Sequence, residues 1–150
     1  SAAFTGTHGN EIANIFTYYN AGASATINNL TQERWDNRWT GPGSTNTDPR
    51  VTDQPTTNDI FSDRYIEDGS FMRLRNVQIG YTLPSKLVSK LKIKSARIYV
   101  SADNLLTITN YSGFDPEVGL AFNGDPFGNG VDLGNYPQAR TIIIGTNIKF

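Results

Sequence analysis

The chain has 150 residues, of which 37% are hydrophobic, and no run approaches the roughly 18 apolar residues that a transmembrane helix requires. Because 13 Lys and Arg nearly balance 14 Asp and Glu, no excess of positive charge points to nucleic acid as a partner. The absence of Cys excludes disulfides, thiol catalysis and Cys-based zinc sites.

The first 70 residues are mainly polar and predict loop structure, although Thr5–Ile12 is a possible additional strand. Residues 71–83 predict a strand, because Val77, Ile79 and Tyr81 alternate with polar residues and glycine until Pro84 ends the pattern. Successive side chains of a strand point to opposite faces. This strand therefore has one apolar and one polar face.

Residues 84–94 form a short connection with apolar spacing that suits one helical turn. Residues 95–108 again alternate and predict a second strand, and residues 109–140 are rich in Gly, Asn, Asp and Pro and predict a long loop. Residues 141–150 alternate once more and end on Phe150. This third strand is about as long as a transmembrane β-strand, which has roughly 9–11 residues.

The loop lengths are those of a transmembrane barrel if the three strands are antiparallel neighbours. The short turn 84–94 and Phe150 then lie at one end, and the long segments 1–70 and 109–140 lie at the other. Outer-membrane barrels have short periplasmic turns and longer extracellular loops. Arg73 and Arg75 share parity with Val77, so either they lie at the outer rim or a bulge near Asn76 turns them inward.

Three or four strands are too few to close a barrel, since single-chain bacterial barrels have at least about eight. Open sheet edges are not tolerated in the hydrocarbon of a bilayer. The chain also begins at Ser1 without Met, which indicates a processed protein or a piece of a longer one. We therefore expect these strands to be the end of a much larger all-β barrel.

Six stretches of sequence follow one another in a recognisable order. They are residues 34–40 with 46–50, then 62–76, 80–84, 97–105, 111–117 and 136–140. In this order, and with the terminal Phe150, they resemble the C-terminal region of the SusC/RagA family of TonB-dependent outer-membrane transporters. The resemblance covers most of the chain from about residue 28 onward, whereas residues 1–27 match loosely.

The resemblance implies a barrel of about 22 strands with a plugged lumen in the outer membrane of a Gram-negative bacterium. It implies import of an oligosaccharide or a peptide together with a SusD-like surface lipoprotein, driven by TonB acting on the plug domain. The plug and most of the barrel are absent from these 150 residues. The chain is therefore expected to supply barrel wall and outer loops against its own plug and the remaining strands.

Alternation assigns the strand residues to two faces. The residues expected to face outer-membrane lipid are Val77, Ile79, Tyr81, Ile98, Val100, Ile142, Ile144, Ile148 and Phe150. The residues expected to face the lumen are Arg97, Tyr99, Asp103, Asn147 and Lys149.

Aromatic side chains in the predicted outer loops are the candidates for contact with a ligand or partner, because flat rings with polar edges stack on sugars and anchor proteins. They are Trp35, Trp39, Tyr111, Phe114, Phe122, Phe127 and Tyr136. The alternative, favoured for any one of them, is that they fix the loops to one another or form an interfacial girdle.

Groups with catalytic or metal-binding chemistry are few, and we predict neither an enzyme nor a cofactor. His8 has no acidic partner or second histidine nearby, so it is interpreted as an exposed surface residue. Asp115 and Glu117 form a carboxylate pair of the kind used in glycoside hydrolysis, but they are better explained as part of a loop motif. Calcium is a minor possibility at residues 123–132, where turn formation is the favoured role of the Asn, Gly and Asp residues.

A soluble all-β binding or surface domain is the alternative to a transporter. A sandwich of that kind has about seven short strands, with turns every 8–12 residues. This chain shows three strong strands separated by one short connection and one loop of about thirty residues. The strand count and the ordered motifs together favour the transporter.

Overall fold

A computed structural model describes residues 1–21, 29–52, 57–88, 93–119 and 128–150. The chain divides into two compact units, which are described separately. The first unit consists of Ser1–His8, Ser70–Asn110 and Pro137–Phe150. The second consists of Gly9–Gly69 and Tyr111–Tyr136.

The first unit is a four-stranded antiparallel sheet. Its strands, in their order across the sheet, are β1 (Ala2–Thr7), β4 (Phe71–Thr82), β5 (Ser95–Thr109) and β7 (Thr141–Lys149). Strands are present in all three places where alternation predicts them, and β1 is the fourth, although it lies earlier than Thr5–Ile12. The all-β class is confirmed, whereas closure into a barrel stays a prediction.

The three long strands pair in the order in which they follow along the chain, and Ile79, Val100 and Ile144 form one row across them. The connection after β4 contains the short helix α3 (Ser85–Val88). Beyond it, the amide of Lys94 donates to the carbonyl of Lys149 over 2.8 Å. The short connection after β4 and the C-terminal end of β7 therefore lie at the same end of the strands, as expected from the loop lengths.

The pairing register of β4 shifts at Arg75. Leu74 pairs with Leu106, whereas Asn76 pairs with Asp103, so two residues of β5 lie opposite one of β4. The shift lies where a bulge was expected, and the buried Arg73 donates from its Nε to the Oγ1 of Thr107 over 2.9 Å. Arg73 therefore does not share the exposed side of Ile79, because the bulge changes the alternation along β4.

The second unit contains a small sheet with the strand order β3-β2-β6. These strands are β2 (Glu11–Asn14), β3 (Ile66–Asp68) and β6 (Val131–Asp132). β2 pairs antiparallel with β3 and parallel with β6. Short strands thus occur inside both segments that the sequence predicts mainly as loop.

The helices of the second unit are short. They are α1 (Ile15–Ala21), α2 (Gln32–Asp36) and the 3₁₀ turns Thr57–Asp59 and Asp63–Tyr65. α2 begins where the sequence provides a cap, since the Oγ1 of Thr31 accepts from the amide of Arg34 over 3.2 Å. Among the described residues, no helix is long and apolar enough to cross a membrane.

Candidate functional site

One side of the four-stranded sheet is apolar and exposed. Of the residues predicted to face lipid, Val77 is half-buried, and the others have between 44% and 81% of their surface exposed. The exposed ones are Ile79, Tyr81, Ile98, Val100, Ile142, Ile144, Ile148 and Phe150. Whether this side contacts lipid stays a prediction.

Four further apolar side chains, which were not predicted to face lipid, extend this surface beyond the bulge. They are Phe4, Met72, Leu106 and Ile108, each at least half exposed. Met72 pairs with Ile108, and both Leu106 and Ile108 occupy even positions on β5, as Val100 does. The even positions of β5 were the signal that could have identified Leu106 and Ile108.

The opposite side of the sheet carries the residues predicted to face the lumen. Asn76 donates to Asp103 over 2.6 Å, which ties β4 to β5. A Cβ built on Gly80 would lie 2.6 Å from the guanidinium of Arg97, and one built on Gly145 would overlap the ring of Tyr99. The two glycines therefore let Arg97 and Tyr99 lie across the sheet. Asn147 and Lys149 complete this set on β7 and are exposed.

Two of the loop aromatics are paired with neighbouring side chains. Trp35 is half exposed, and the guanidinium of Arg38 lies 3.7 Å from the centre of its ring. Phe114 packs on Phe16 with 5.0 Å between ring centres and still exposes more than half of its surface. These contacts fix one face of each ring and leave other surface available for a ligand or partner.

The other loop aromatics differ widely in exposure. Tyr136 is 91% exposed, Trp39 is half-buried, and Tyr111 is buried. Phe122 and Phe127 lie outside the described residues. Contact of any of these residues with a ligand or partner stays a prediction.

Tyr111 belongs to a buried polar cluster around Asp132. The hydroxyl of Tyr111 donates to Asp132 Oδ2 over 2.6 Å, and Asp132 Oδ1 accepts from the amides of Gly134 and Asn135 over 2.8 and 3.0 Å. Asp132 is almost completely buried, so these donors replace its lost hydration. From sequence alone, Asp132 was a candidate only for calcium binding.

The pKa of Tyr111 is raised from its ordinary value, mainly because burial disfavours the phenolate, and further because of the hydrogen bond to Asp132. The unfolded tyrosine ionises near pH 10. Because the folded pKa is the higher one, this tyrosine contributes stability that is fully present below pH ~10 and is lost as the pH rises above it.

We therefore expect the segments around Tyr111 and around Asp132 to open more readily above pH ~10 in the wild-type protein than at neutral pH. The variant Tyr111→Phe should show a weaker change over the same range, because its ring has no proton to lose. Limited proteolysis of the intact protein across this pH range measures the difference. Equal pH dependence of the two proteins would contradict the role given to Tyr111.

Glu67 joins β3 to the start of the second long loop. Its carboxylate accepts from the amide of Ser112 over 2.9 Å and from the hydroxyl of Ser112 over 2.8 Å. It also accepts from Asn14 Nδ2 over 2.8 Å. These hydrogen bonds give the loop a fixed starting point within the second unit.

Two arginines hold the segment around Asp48. Arg34 is buried, donates from Nη2 to the carbonyl of Pro49 over 2.6 Å, and places Nη1 3.7 Å from Asp48. Arg64 forms an ion pair with the same carboxylate. Burial lowers the pKa of Arg34, and the nearby Asp48 opposes this shift.

The acidic groups that the sequence singled out have structural partners or lie outside the described part. Asp115 is buried, and its Oδ1 accepts from the amide of Glu117 over 2.9 Å, which closes a tight turn. Of the calcium candidates, Asn123 and Asp125 lie outside the described residues. Within the described ranges, no three His, Asp or Glu side chains are grouped to hold a metal ion.

No protein-family model matches the chain. The chain is 39% identical to TonB-dependent receptor P3 of Formosa agariphila over 153 residues, which cover 98% of the chain and 14% of that receptor. It is 31% identical to TonB-dependent receptor SusC of Bacteroides thetaiotaomicron over 93 residues, 61% of the chain and 8% of that receptor. Its structure matches the RagAB peptide transporter with a TM-score of 0.78 and 29% identity, over 99% of the chain and 15% of that structure.

This chain is a segment of a SusC/RagA-type TonB-dependent receptor. The decisive observation is that sequence and structure match the same kind of protein over nearly the whole chain. The relatives are receptors and transporters rather than enzymes, as the sequence predicts. The chain spans about one seventh of the length of these relatives. The activity of the intact protein is therefore proposed below and is not shown by these matches.

Proposed function

We propose that this chain forms part of the wall and outer loops of an outer-membrane barrel that imports a nutrient with energy from TonB. The observation that carries the proposal is the exposed apolar side of the antiparallel sheet, which runs through the row Ile79, Val100 and Ile144. A lipid-facing barrel wall requires such a side, with polar residues on the other. A soluble sandwich would instead bury it against a second sheet.

The remaining strands of the intact protein would pair with the free edges of β1 and β7 and close the barrel. Closure is obligatory in a bilayer, because unpaired strand edges have no hydrogen-bond partners in hydrocarbon. The polar side with Arg97, Tyr99 and Asp103 would then line the lumen against the plug domain, through which TonB acts. The turn 84–94 and Phe150 would then lie on the periplasmic side.

The second unit would supply the outer loops. Among the described residues, its segments follow Thr7 and Thr109 and precede Phe71 in the chain, and these three residues are paired across the sheet. A SusD-like surface lipoprotein is the proposed partner at these loops. The exposed rings of Trp35, Phe114 and Tyr136 are available for contact with it or with the nutrient. The proposed cargo is an oligosaccharide or a peptide.

Membrane fractionation of the bacterium tests this proposal with the intact protein. We expect the protein in the detergent-extracted outer-membrane fraction, with electrophoretic mobility that changes on heating, because closed barrels stay folded in cold detergent. We also expect a SusD-like lipoprotein to co-purify with it. Recovery among the soluble proteins, without a heat-dependent shift, would contradict the proposal and favour the soluble all-β surface domain.

A further inference from the structure

The lysines of the chain are confined to two places in the sequence. Every lysine lies in residues 84–94 or at position 149. No Asp or Glu occurs in residues 69–102, which contain the first place, or in residues 133–150, which contain the second. The structure describes three of these lysines, all exposed, and we call them the basic end of the sheet: Lys86, Lys94 and Lys149.

Backbone hydrogen bonds bring the basic end together from separate parts of the chain. The amide of Lys94 donates to the carbonyl of Lys149 over 2.8 Å. Lys86 belongs to α3, in the connection between β4 and β5. At the start of that connection, the amide of Leu83 donates to the carbonyl of Ala96 over 2.9 Å. The three lysines therefore lie at the same end of the strands.

Exposed apolar side chains lie at this end as well. In α3, Val88 is buried, whereas its neighbour Leu87 is more than half exposed. Tyr81, near the end of β4, and Phe150, next to Lys149, are also more than half exposed. Aromatic residues form girdles at both membrane interfaces of outer-membrane barrels. Lysine has an apolar stem and a charged head, so it suits the same boundary.

The length of β7 indicates the depth of the basic end in a bilayer. β7 has 9 residues and ends at Lys149. A barrel strand needs roughly 9–11 residues to cross the hydrocarbon core. If β7 crosses it, Lys149 and its hydrogen-bonded neighbour Lys94 lie where the hydrocarbon meets the lipid headgroups.

We infer that the basic end binds anionic phospholipid headgroups in the periplasmic leaflet of the outer membrane. The inference rests on the proposed function and adds a lipid partner to it. Clustered lysines next to a membrane attract anionic lipids. An acidic protein would match the charge alone, whereas a lipid also accommodates the exposed Leu87 and Phe150.

Lipid binding to the purified intact protein in a non-ionic detergent tests the inference. The probes are dioctanoyl phosphatidylglycerol, which is anionic, and dioctanoyl phosphatidylcholine, which has the same acyl chains and no net charge. Native mass spectrometry measures the affinity for each, and the wild type should prefer phosphatidylglycerol. Lys94→Gln/Lys149→Gln should weaken phosphatidylglycerol binding roughly thirtyfold, about fivefold for each charge removed, and leave phosphatidylcholine binding unchanged.

Two further variants separate charge from other effects of substitution. Lys94→Arg/Lys149→Arg retains both charges and should retain the lipid preference. Arg140→Gln is the matched control, because it removes an exposed positive charge directly before β7, at the other end of that strand. It should leave the preference unchanged. Raising the ionic strength from about 0.1 to 1 M should reduce the preference of the wild type, because the Debye length falls from about 10 to 3 Å.

Equal binding of the two lipids by the wild type, or a preference that the double glutamine variant retains, overturns the inference. Lysine-dependent binding of an oligoglutamate peptide in place of phosphatidylglycerol also overturns it and indicates an acidic protein as the partner. Fractionation keeps the two proposals separate. Intact protein that reaches the outer membrane without a lipid preference contradicts this inference alone, whereas a protein absent from the outer membrane contradicts the transporter.

Discussion

Replacing Ile144 with lysine is expected to reduce strongly the amount of intact protein that assembles in the outer membrane. Ile144 lies near the middle of β7, is 75% exposed, and pairs with Val100 on the apolar side of the sheet. A lysine on the lipid side costs about 2–4 kcal/mol at the bilayer midplane and about 0–1 kcal/mol near the interface. Quantitative immunoblots of outer-membrane fractions, with and without heating, measure the loss.

Ile143→Lys is the matched control for this experiment. Ile143 is the same residue type one position earlier, and it pairs with Ser101 on the opposite side of the sheet. A lysine there would face the wet interior, so assembly should be close to that of the wild type. Ile148→Lys, near the end of the strand, should have a small effect. If all three variants assemble equally well, the apolar side does not face lipid.

The three long strands were predictable from sequence because their pattern is local. Val77, Ile79 and Tyr81 alternate with polar residues over a few positions, and a period of two is sufficient to identify a strand and its faces. Pro84 marks the end of the first strand. The short connection 84–94 favours pairing of the first two strands, whereas the antiparallel order of all three was an assumption of the loop-length argument, and the structure shows that order.

The sequence indicated a possible bulge near Asn76, but it did not indicate how the bulge changes the apolar surface. At Arg75 the side-chain parity of β4 changes, so Met72 and Ile79 lie on the same exposed side although their numbers differ in parity. That change depends on how β4 pairs with the next strand, β5, and with β1, which lies more than sixty residues earlier in the chain. Periodicity within one strand contains no information on it.

The second unit was harder to predict because its strands are two to four residues long. Its sheet joins β2 to β3 and β6, whose positions in sequence are more than fifty residues apart. Short polar segments of this kind have no readable periodicity. The loop aromatics show the same limit, since composition identified Trp35 and Tyr111 alike, whereas one is half exposed and the other buried.

Asp132→Ala is expected to be the most destabilising single change in the second unit. It removes the acceptor for the Tyr111 hydroxyl and for the amides of Gly134 and Asn135, in a place where water does not replace it. A hydrogen bond to a charged group contributes about 1.5–3 kcal/mol, and an unsatisfied buried donor has a further cost. We expect a loss of about 3 kcal/mol or more in the local free energy of opening.

Hydrogen exchange of the intact protein, followed by mass spectrometry, measures this loss. A change of about 3 kcal/mol corresponds to roughly hundredfold faster exchange of the amides of Gly134 and Asn135. Tyr111→Phe should have a smaller effect, because it leaves both amide bonds to Asp132 in place. Peptides from β7 serve as the internal reference, since a structural role confined to this cluster leaves their exchange unchanged. Similar protection of residues 131–136 in all variants would show that Asp132 does not hold this segment.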